Sequence, residues 1–405
     1  MKRKFIQSVI LALIFNSLFL INNCMSQWMQ VGNEMGINRY INSLTSNSSY
    51  IFASTDDSGV YRSTNNGTNW IHTSLNNKAT SSLIVSGNNI FAGTGSTGSY
   101  VVYFSTDNGN TWNQTNLNKG VGCFAILGSS IFAGTEYDGV YISTINGTSW
   151  TQTALNNRSI YSLLAIGNSL FAGTDIGVYL SNNNGTNWTQ TTLNNVPVLS
   201  LSTIGNNIFA GTYYSNNGFY LSTNSGINWT AVPTFQTILS FEVSGTNLFA
   251  GNFSAGVYLS TDNGTSWLNK NQGFPSSITI NKLLIANNYI FAASQGKSIW
   301  RRSYSDIIGI KNISTEIPEK YSLTQNYPNP FNPETKINYE LRVTNYVKLQ
   351  VYDVVGNEVA TLVNEKQSPG TYQVEFDAGS LTSGVYFYRL TSGDFTDTRR
   401  MMLIK

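Results

Sequence analysis

The chain has 405 residues, 41% of them apolar and 13% aromatic, with 35 glycines and a formal net charge of only +2. Such a composition can bury more than one core and suits many short, tightly turned strands. The near-neutral balance offers no basic surface for nucleic acid.

The chain opens on Lys2-Arg3-Lys4, an apolar run from Phe5 to Ile21, and the small-residue site Cys24-Met25-Ser26. That order is a secretory signal peptide, so residues 1–26 are expected to be removed before Gln27. Gln7, Ser8, Asn16 and Ser17 interrupt the run, which argues against a transmembrane span, and Asn22 and Asn23 argue against lipidation of Cys24. Once the signal is gone, Cys123 is the only cysteine, so a disulfide framework is excluded and stability must come from packing.

Residues 27–305 are repetitive. IFAST starts at Ile51, IFAGT at Ile90, Ile131 and Ile208, LFAGT at Leu170, LFAGN at Leu248 and IFAAS at Ile290, in steps of 38 to 42 residues. A turn motif keeps the same beat: STNNGTNW (63–70), STDNGNTW (105–112), STINGTSW (143–150), SNNNGTNW (181–188), STNSGINW (222–229) and STDNGTSW (260–267). Each unit reads as four short strands within about forty residues and has no helical period. The expected fold is therefore all-β, with a seven-bladed β-propeller as its first domain. The seventh unit stops after Ser298-Ile299-Trp300-Arg301, while Trp28-Met29-Gln30-Val31 looks like an exit strand with no blade before it. An N-terminal strand closing the last blade would leave no sheet edge open.

In the turn motif, Ser and Asx side chains can accept backbone hydrogen bonds and Gly permits positive φ. Trp70, Trp112, Trp150, Trp188, Trp229 and Trp267 are then expected to lie over their hairpins. The pattern resembles the Asp-box of BNR (sialidase-like) and photosystem II assembly-factor-like propellers, over residues 28 to about 303. Asp stands in the third place only at Asp107 and Asp262; Asn65, Asn183 and Asn224 replace it, and Ile145 cannot make the turn bond. The resemblance implies structural boxes on the face away from the ligand. Six-fold repetition argues the same way, against calcium or sugar binding by the boxes.

Chemistry is expected where the units differ. The loops after the IFAGT strands bring Asp56 and Asp57, a stretch from Gly95 to Tyr100, Glu136, Tyr137 and Asp138, Asp175, Tyr213 and Tyr214, and Phe253. In a propeller they share a face with the inter-blade links, which carry Lys78, Lys119 and Arg158. Aromatic platforms with hydrogen-bonding neighbours suit a glycan or protein ligand, against the alternative of ordinary solvated loops. A glycoside hydrolase of the sialidase or xyloglucanase kind would need a carboxylate pair from Asp56, Asp57, Glu136, Asp138 and Asp175. Its arginine clamp is poorly supplied, because the propeller has only Arg39, Arg62, Arg158 and the adjacent Arg301 and Arg302, with no Arg-Ile-Pro sequence. The single histidine, His72, argues against His catalysis and His-rich metal sites. The expectation is a non-catalytic binding or adhesion propeller with no catalytic residue, metal or cofactor. An envelope assembly scaffold is a third reading.

Charge density then rises. Residues 27–312 carry 11 Lys/Arg and 10 Asp/Glu, whereas the shorter stretch 313–405 carries 9 and 11, with five of the eight prolines. A linker over 306–319 and a second domain over 320–405 are expected. Tyr339 onward and Val347 onward alternate apolar and polar residues, with Gly356-Asn357 and Ser368-Pro369-Gly370 as turns, as in an immunoglobulin-like β-sandwich. The segments Tyr327-Pro328-Asn329-Pro330-Phe331-Asn332-Pro333, Val351-Tyr352-Asp353-Val354-Val355-Gly356, Ser383-Gly384-Val385-Tyr386 and Arg399-Arg400-Met401-Met402-Leu403-Ile404-Lys405 resemble the type A C-terminal sorting domain of type IX secretion substrates. The resemblance implies a sorting signal carried by Pro328, Asn329, Pro330, Asp353, Gly356, Gly384, Tyr386, Arg399, Arg400 and Lys405. It also implies a dedicated outer-membrane translocon and a surface protease as partners. The route would run through the periplasm to the surface, or beyond, of a Gram-negative cell of the Bacteroidetes and Chlorobi kind.

Overall fold

A computed structural model describes residues 27–95, 100–213, 217–232, 236–379 and 381–405. The chain divides into two compact units, Gln30–Lys270 with Pro275–Arg301, and Arg302–Lys405 with Asn271–Phe274 and the segment ending at Met29. Among the described residues, helix is confined to a 3-10 turn at Asn33–Met35 and one turn at Tyr304–Ile307.

The repeats fold as four-stranded antiparallel sheets. Six of them take four consecutive strands, such as Ile160–Ile166, Ser169–Thr174, Gly177–Ser181 and Thr189–Asn194. The last sheet takes Ile280–Ala286, Tyr289–Ser294 and Ile299–Ser303, and its fourth strand is Met29–Val31, which precedes the first sheet in sequence. The first strand of each sheet packs on the first strand of the next, and Ile280–Ala286 packs back on Ile41–Ser46.

The repeated residues explain this packing. In IFAGT the Phe goes into the core: Phe52, Phe91, Phe132, Phe209, Phe249 and Phe291 are all fully buried. The Gly answers a different need. A Cβ at Gly173 would come within 2.8 Å of the Val198 carbonyl, and one at Gly251 within 2.8 Å of Ile280, both on the next sheet's first strand. Glycine thus lets neighbouring sheets approach.

The turn motifs plug the same seam from the outside. Asp107 accepts from Ser105 Oγ at 2.8 Å, Thr111 N at 2.8 Å and Thr111 Oγ1 at 2.6 Å, and the Thr111 bonds hold its carboxyl below the ordinary Asp range. Asn65, Asn183 and Asn224 accept the equivalent amide at 2.9 Å. At Ile145 that bond is missing, although Ser143 Oγ still accepts from Gly147 N at 2.9 Å. Gly264 has φ +84, and its Cβ would lie 2.6 Å from Phe219 of the preceding sheet. The tryptophans split into two modes. Trp70, Trp150 and Trp229 donate to the glycine carbonyl of their own turn, while Trp112 and Trp188 donate to Thr73 and Thr153 of the preceding sheet. Trp267 reaches no such acceptor, its indole N–H being buried without a partner among the described residues.

The second unit holds two more four-stranded sheets around one apolar core. One contains Ile310–Ser314, Gly370–Asp377, Glu334–Leu341 and Ser322–Leu323; the other contains Glu358–Gln367, Asn345–Tyr352, Gly384–Ser392 and Phe395–Leu403. Residues 310–314 of the stretch expected as a linker are thus a strand, because Ile310 is apolar and fully buried against this core. Tyr388 is buried, its hydroxyl donates to Thr324 O at 2.7 Å and accepts from Asn326 N at 2.8 Å, and burial pushes its phenol up to about 12.

Candidate ligand-binding site

The variable loops spring from a constant base. Thr55 Oγ1 donates to Gly59 O at 2.9 Å, Thr135 to Gly139 at 2.7 Å, Thr174 to Gly177 at 2.9 Å, and Ser294 to Ser298 at 2.7 Å. One residue on, the loop is laced to the link entering its own sheet: Asp56 N donates to Tyr40 O at 3.4 Å, Glu136 N to Gly120 O at 3.2 Å, Asp175 N to Ser159 O at 3.2 Å and Phe253 N to Thr237 O at 3.0 Å. These bonds hold loops and links on one face.

Two groupings stand on it. In the first sheet, a recess of about 340 Å³ is lined by Ile37, Arg39, Tyr40, Asp56 and Asp57 with their neighbours. The Arg39 guanidinium binds the Asp57 carboxylate, Ser58 Oγ at 2.8 Å and Met35 O at 2.7 Å. Burial and then the adjacent Asp57 charge raise Asp56. Beside them the Tyr61 and His72 rings lie 3.9 Å apart, and burial, then Arg39, lowers His72. That histidine is therefore poorly placed to carry a proton.

The second grouping spans later repeats. The Glu136 carboxylate beside the Tyr137 hydroxyl raises that phenol. Tyr161 is raised by burial first, then by the nearby Asp175 carboxylate and by Tyr213. Tyr100 covers Gly120, where a Cβ would meet its ring at 2.8 Å. Asp138 is turned aside into an ion pair with Lys119 Nζ at 2.9 Å. Arg158 Nη1 donates to Asn157 O at 3.2 Å, and Phe253 is exposed. Of the residues picked from the sequence, Glu136, Tyr137, Asp175 and Tyr213 thus share Tyr161 as a neighbour, whereas Asp56 and Asp57 are engaged by Arg39. Tyr214 lies outside the described residues.

Tyr161 was not singled out by sequence reasoning, and neither was Arg39. Tyr161 occupies the bulge between Ile160 and Ser162, a position held in the other repeats by Asn42, Ser81, Gly122, Leu199, Leu239 and Asn281. Aligning the repeats would have shown one aromatic among smaller side chains. A half-buried carboxylate was also missed: Glu242 accepts Ile285 N at 3.0 Å, and desolvation raises its carboxyl while the Lys282 charge pulls it down.

In the tail, Asn329 Oδ1 accepts Met402 N at 2.9 Å, next to Pro328 and Pro330, which both follow cis bonds. Asp353 accepts from Val355 N, Asn357 N and Asn357 Nδ2 at 2.8 to 3.0 Å around Gly356 (φ 90), and the Asn357 bonds lower its carboxyl. Gly384 begins the strand in which the Tyr386 hydroxyl donates to Thr382 O at 2.8 Å. Arg399 Nε donates to Leu323 O at 3.2 Å, Arg400 O accepts Gln325 Nε2 at 2.7 Å, and Lys405 Nζ donates to Gly379 O at 2.6 Å. The terminal residues are thus part of the folded edge.

Residues 325–405 match the family described as the secretion system C-terminal sorting domain. The chain ends in a sorting domain. That domain sends the protein to the cell surface or outside, and no helix among the described residues is long and apolar enough to cross a membrane. No curated protein matches the sequence. Solved structures do. YCF48 from Cyanidioschyzon merolae is 14% identical with TM-score 0.55, covering 69% of this chain and 99% of that one. The extracellular domain of a one-component system from B. thetaiotaomicron is 16% identical with TM-score 0.58, over 80% of this chain and 46% of that one. An ancestral GH74 enzyme is 16% identical with TM-score 0.52, over 92% and 63%. At such identities the likeness is one of fold, and the fold ahead of the sorting domain is a β-propeller.

Proposed function

We propose that the exported propeller is a seven-bladed ring that binds a glycan or protein ligand, without catalysis, on its variable-loop face. In the same reading the tail is an immunoglobulin-like sandwich delivered by the type IX translocon. Closure is supported by the contact between the first strands of the first and last sheets. The binding role rests on one observation: the scaffold repeats, yet the loops on a single face diverge and present Tyr137 at 73%, Phe253 at 55% and Tyr213 at 47% exposure. Large exposed aromatics gathered on one face of a soluble domain are an interaction surface. The test is an array of immobilised glycans and surface proteins probed with the chain starting at Gln27, beside a Tyr137→Ala, Tyr213→Ala double variant. Binding that the variant loses supports the reading, and binding that it retains removes the ligand from this face.

Glu136 and Asp175, which both act on Tyr161, are the carboxylates on which a hydrolase would have to rest. Release of reducing ends from a bound glycan, abolished by Asp175→Asn, would replace binding with catalysis.

A further inference from the structure

We propose that Tyr100, Tyr137, Tyr161 and Tyr213 form one track across four successive sheets, for a neutral polysaccharide whose hydroxyls donate to Glu136 and Asp175. This rests on the ligand-face reading and gives it a chemical class. The four rings are 45%, 73%, 42% and 47% exposed. Hydrogen bonds fix their supports: Tyr100 packs over Gly120, the Gly120 carbonyl holds the Glu136 amide beside Tyr137, and the Ser159 carbonyl, two residues before Tyr161, holds the Asp175 amide. The Tyr213 carbonyl accepts Gly218 N at 3.0 Å, closing the loop of the next sheet.

Sugar rings present apolar C–H faces that stack on aromatic rings, and their hydroxyls need acceptors placed between the platforms. Glu136 and Asp175 supply those acceptors. Lys119 is paired with Asp138, and the Arg158 guanidinium, whose charge its bond to the Asn157 carbonyl leaves in place, is outnumbered by Glu136 and Asp175. The track is therefore acidic, and it repels uronates and sulfated chains.

The experiment is native electrophoresis of the chain from Gln27 in gels containing hydroxyethyl cellulose, galactomannan or dextran, with polygalacturonate and chitosan as charged counterparts. At least one neutral gel should retard the protein and polygalacturonate should not. Tyr137→Ala and Tyr161→Ala should each weaken retardation about tenfold, equivalent to ~1.4 kcal/mol. Tyr161→Phe should keep it, and so should Tyr346→Ala on the sorting domain. Tryptophan emission checks that each propeller variant is folded. Retardation only by polygalacturonate or only by chitosan, lost in Tyr161→Ala, overturns the neutral class but keeps the ligand face. Neutral-gel retardation indifferent to both tyrosine variants overturns track and face together. No retardation in any gel overturns the track, and binding of a protein on the array, lost in the double variant, would show that the face reading survives it.

Discussion

Removing residues 27–35 tests ring closure most directly. The segment supplies the fourth strand of the last sheet and carries Met35, which is 1% exposed among Ile41, Phe291 and Trp70. It also provides the Gln30 Nε2 bonds to Ile37 O and Lys297 O, each 3.0 Å, and the Gly32 carbonyl for Ser298 Oγ. Losing a buried methionine costs about 2–5 kcal/mol. Three bonds at ~1 kcal/mol each bring the sum to roughly 5–8 kcal/mol, a large part of a typical folding free energy of about 5–15 kcal/mol. For a domain of this size that corresponds to a fall in Tm on the order of 10 °C or more. The assay is convenient because the seven tryptophans that survive the deletion, Trp70 to Trp300, all lie in the first unit, so their emission follows the propeller. Met35→Ala should give the methionine share alone. The newly exposed edge should also promote association between chains. A Tm within about 2 °C of the parent, a small fraction of the expected fall, in a monomeric deletion variant would refute closure by this strand.

Glu242 gives a pH signature. Its carboxyl is raised in the folded state, so its contribution to stability is present below the ordinary Glu range and lost as pH rises through the raised value. Glu242→Gln keeps an oxygen for Ile285 N and removes the charge. It should match the parent near pH 4 and melt increasingly higher toward about pH 8, and a constant offset across that range would contradict the burial argument. Ile145→Asp restores the missing turn acceptor at an exposed site and should stabilise by about 0.5–1.5 kcal/mol in urea melts; a destabilised variant would show that the turn gains nothing from it. Gly264→Ala forces a Cβ into Phe219 at φ +84, and a loss of about 1–3 kcal/mol is expected by the same assay. Trimming Arg399 to Lys405 deletes most of an edge strand with Met401 fully buried and Leu403 1% exposed. Cell fractionation should then find the protein in the periplasm, and normal display would mean that those residues are not read by the export machinery.

The repeat gave away its own architecture, because Phe52, Gly173 and Thr174 each answer a demand that recurs in every sheet and so stand out as periodic. The pairing of Met29–Val31 with the last sheet was legible for the same reason: an exit strand without a blade at one end matched a blade without an exit strand at the other. What stayed hidden depends on distance rather than period. Tyr161 joins Glu136 and Asp175 only because a bulge turns it outward and because consecutive sheets set their loops side by side. Arg39 sits 18 positions from Asp57, outside any loop that varies by repeat. The two modes of the tryptophans could not be read either, since Trp70 and Trp112 share a motif and yet donate to different acceptors. Ile310 was hidden by its setting, a short apolar stretch within a polar, proline-flanked segment.

The side-chain latch at the base of the loops, threonine in most sheets, has an evolutionary consequence. Since Thr135 and Thr174 close their hairpins against Gly139 and Gly177, whatever chain hangs beyond them is insulated from the sheet below. The three-residue excursion at Glu136–Asp138 and the two-residue one at Asp175–Ile176 already show that lengths can differ above one latch geometry. Selection can therefore rewrite one sector's specificity while the other sectors keep their own, much as a tool holder accepts successive bits. A lineage carrying this scaffold would be expected to diverge in its ligands long before it diverges in its frame.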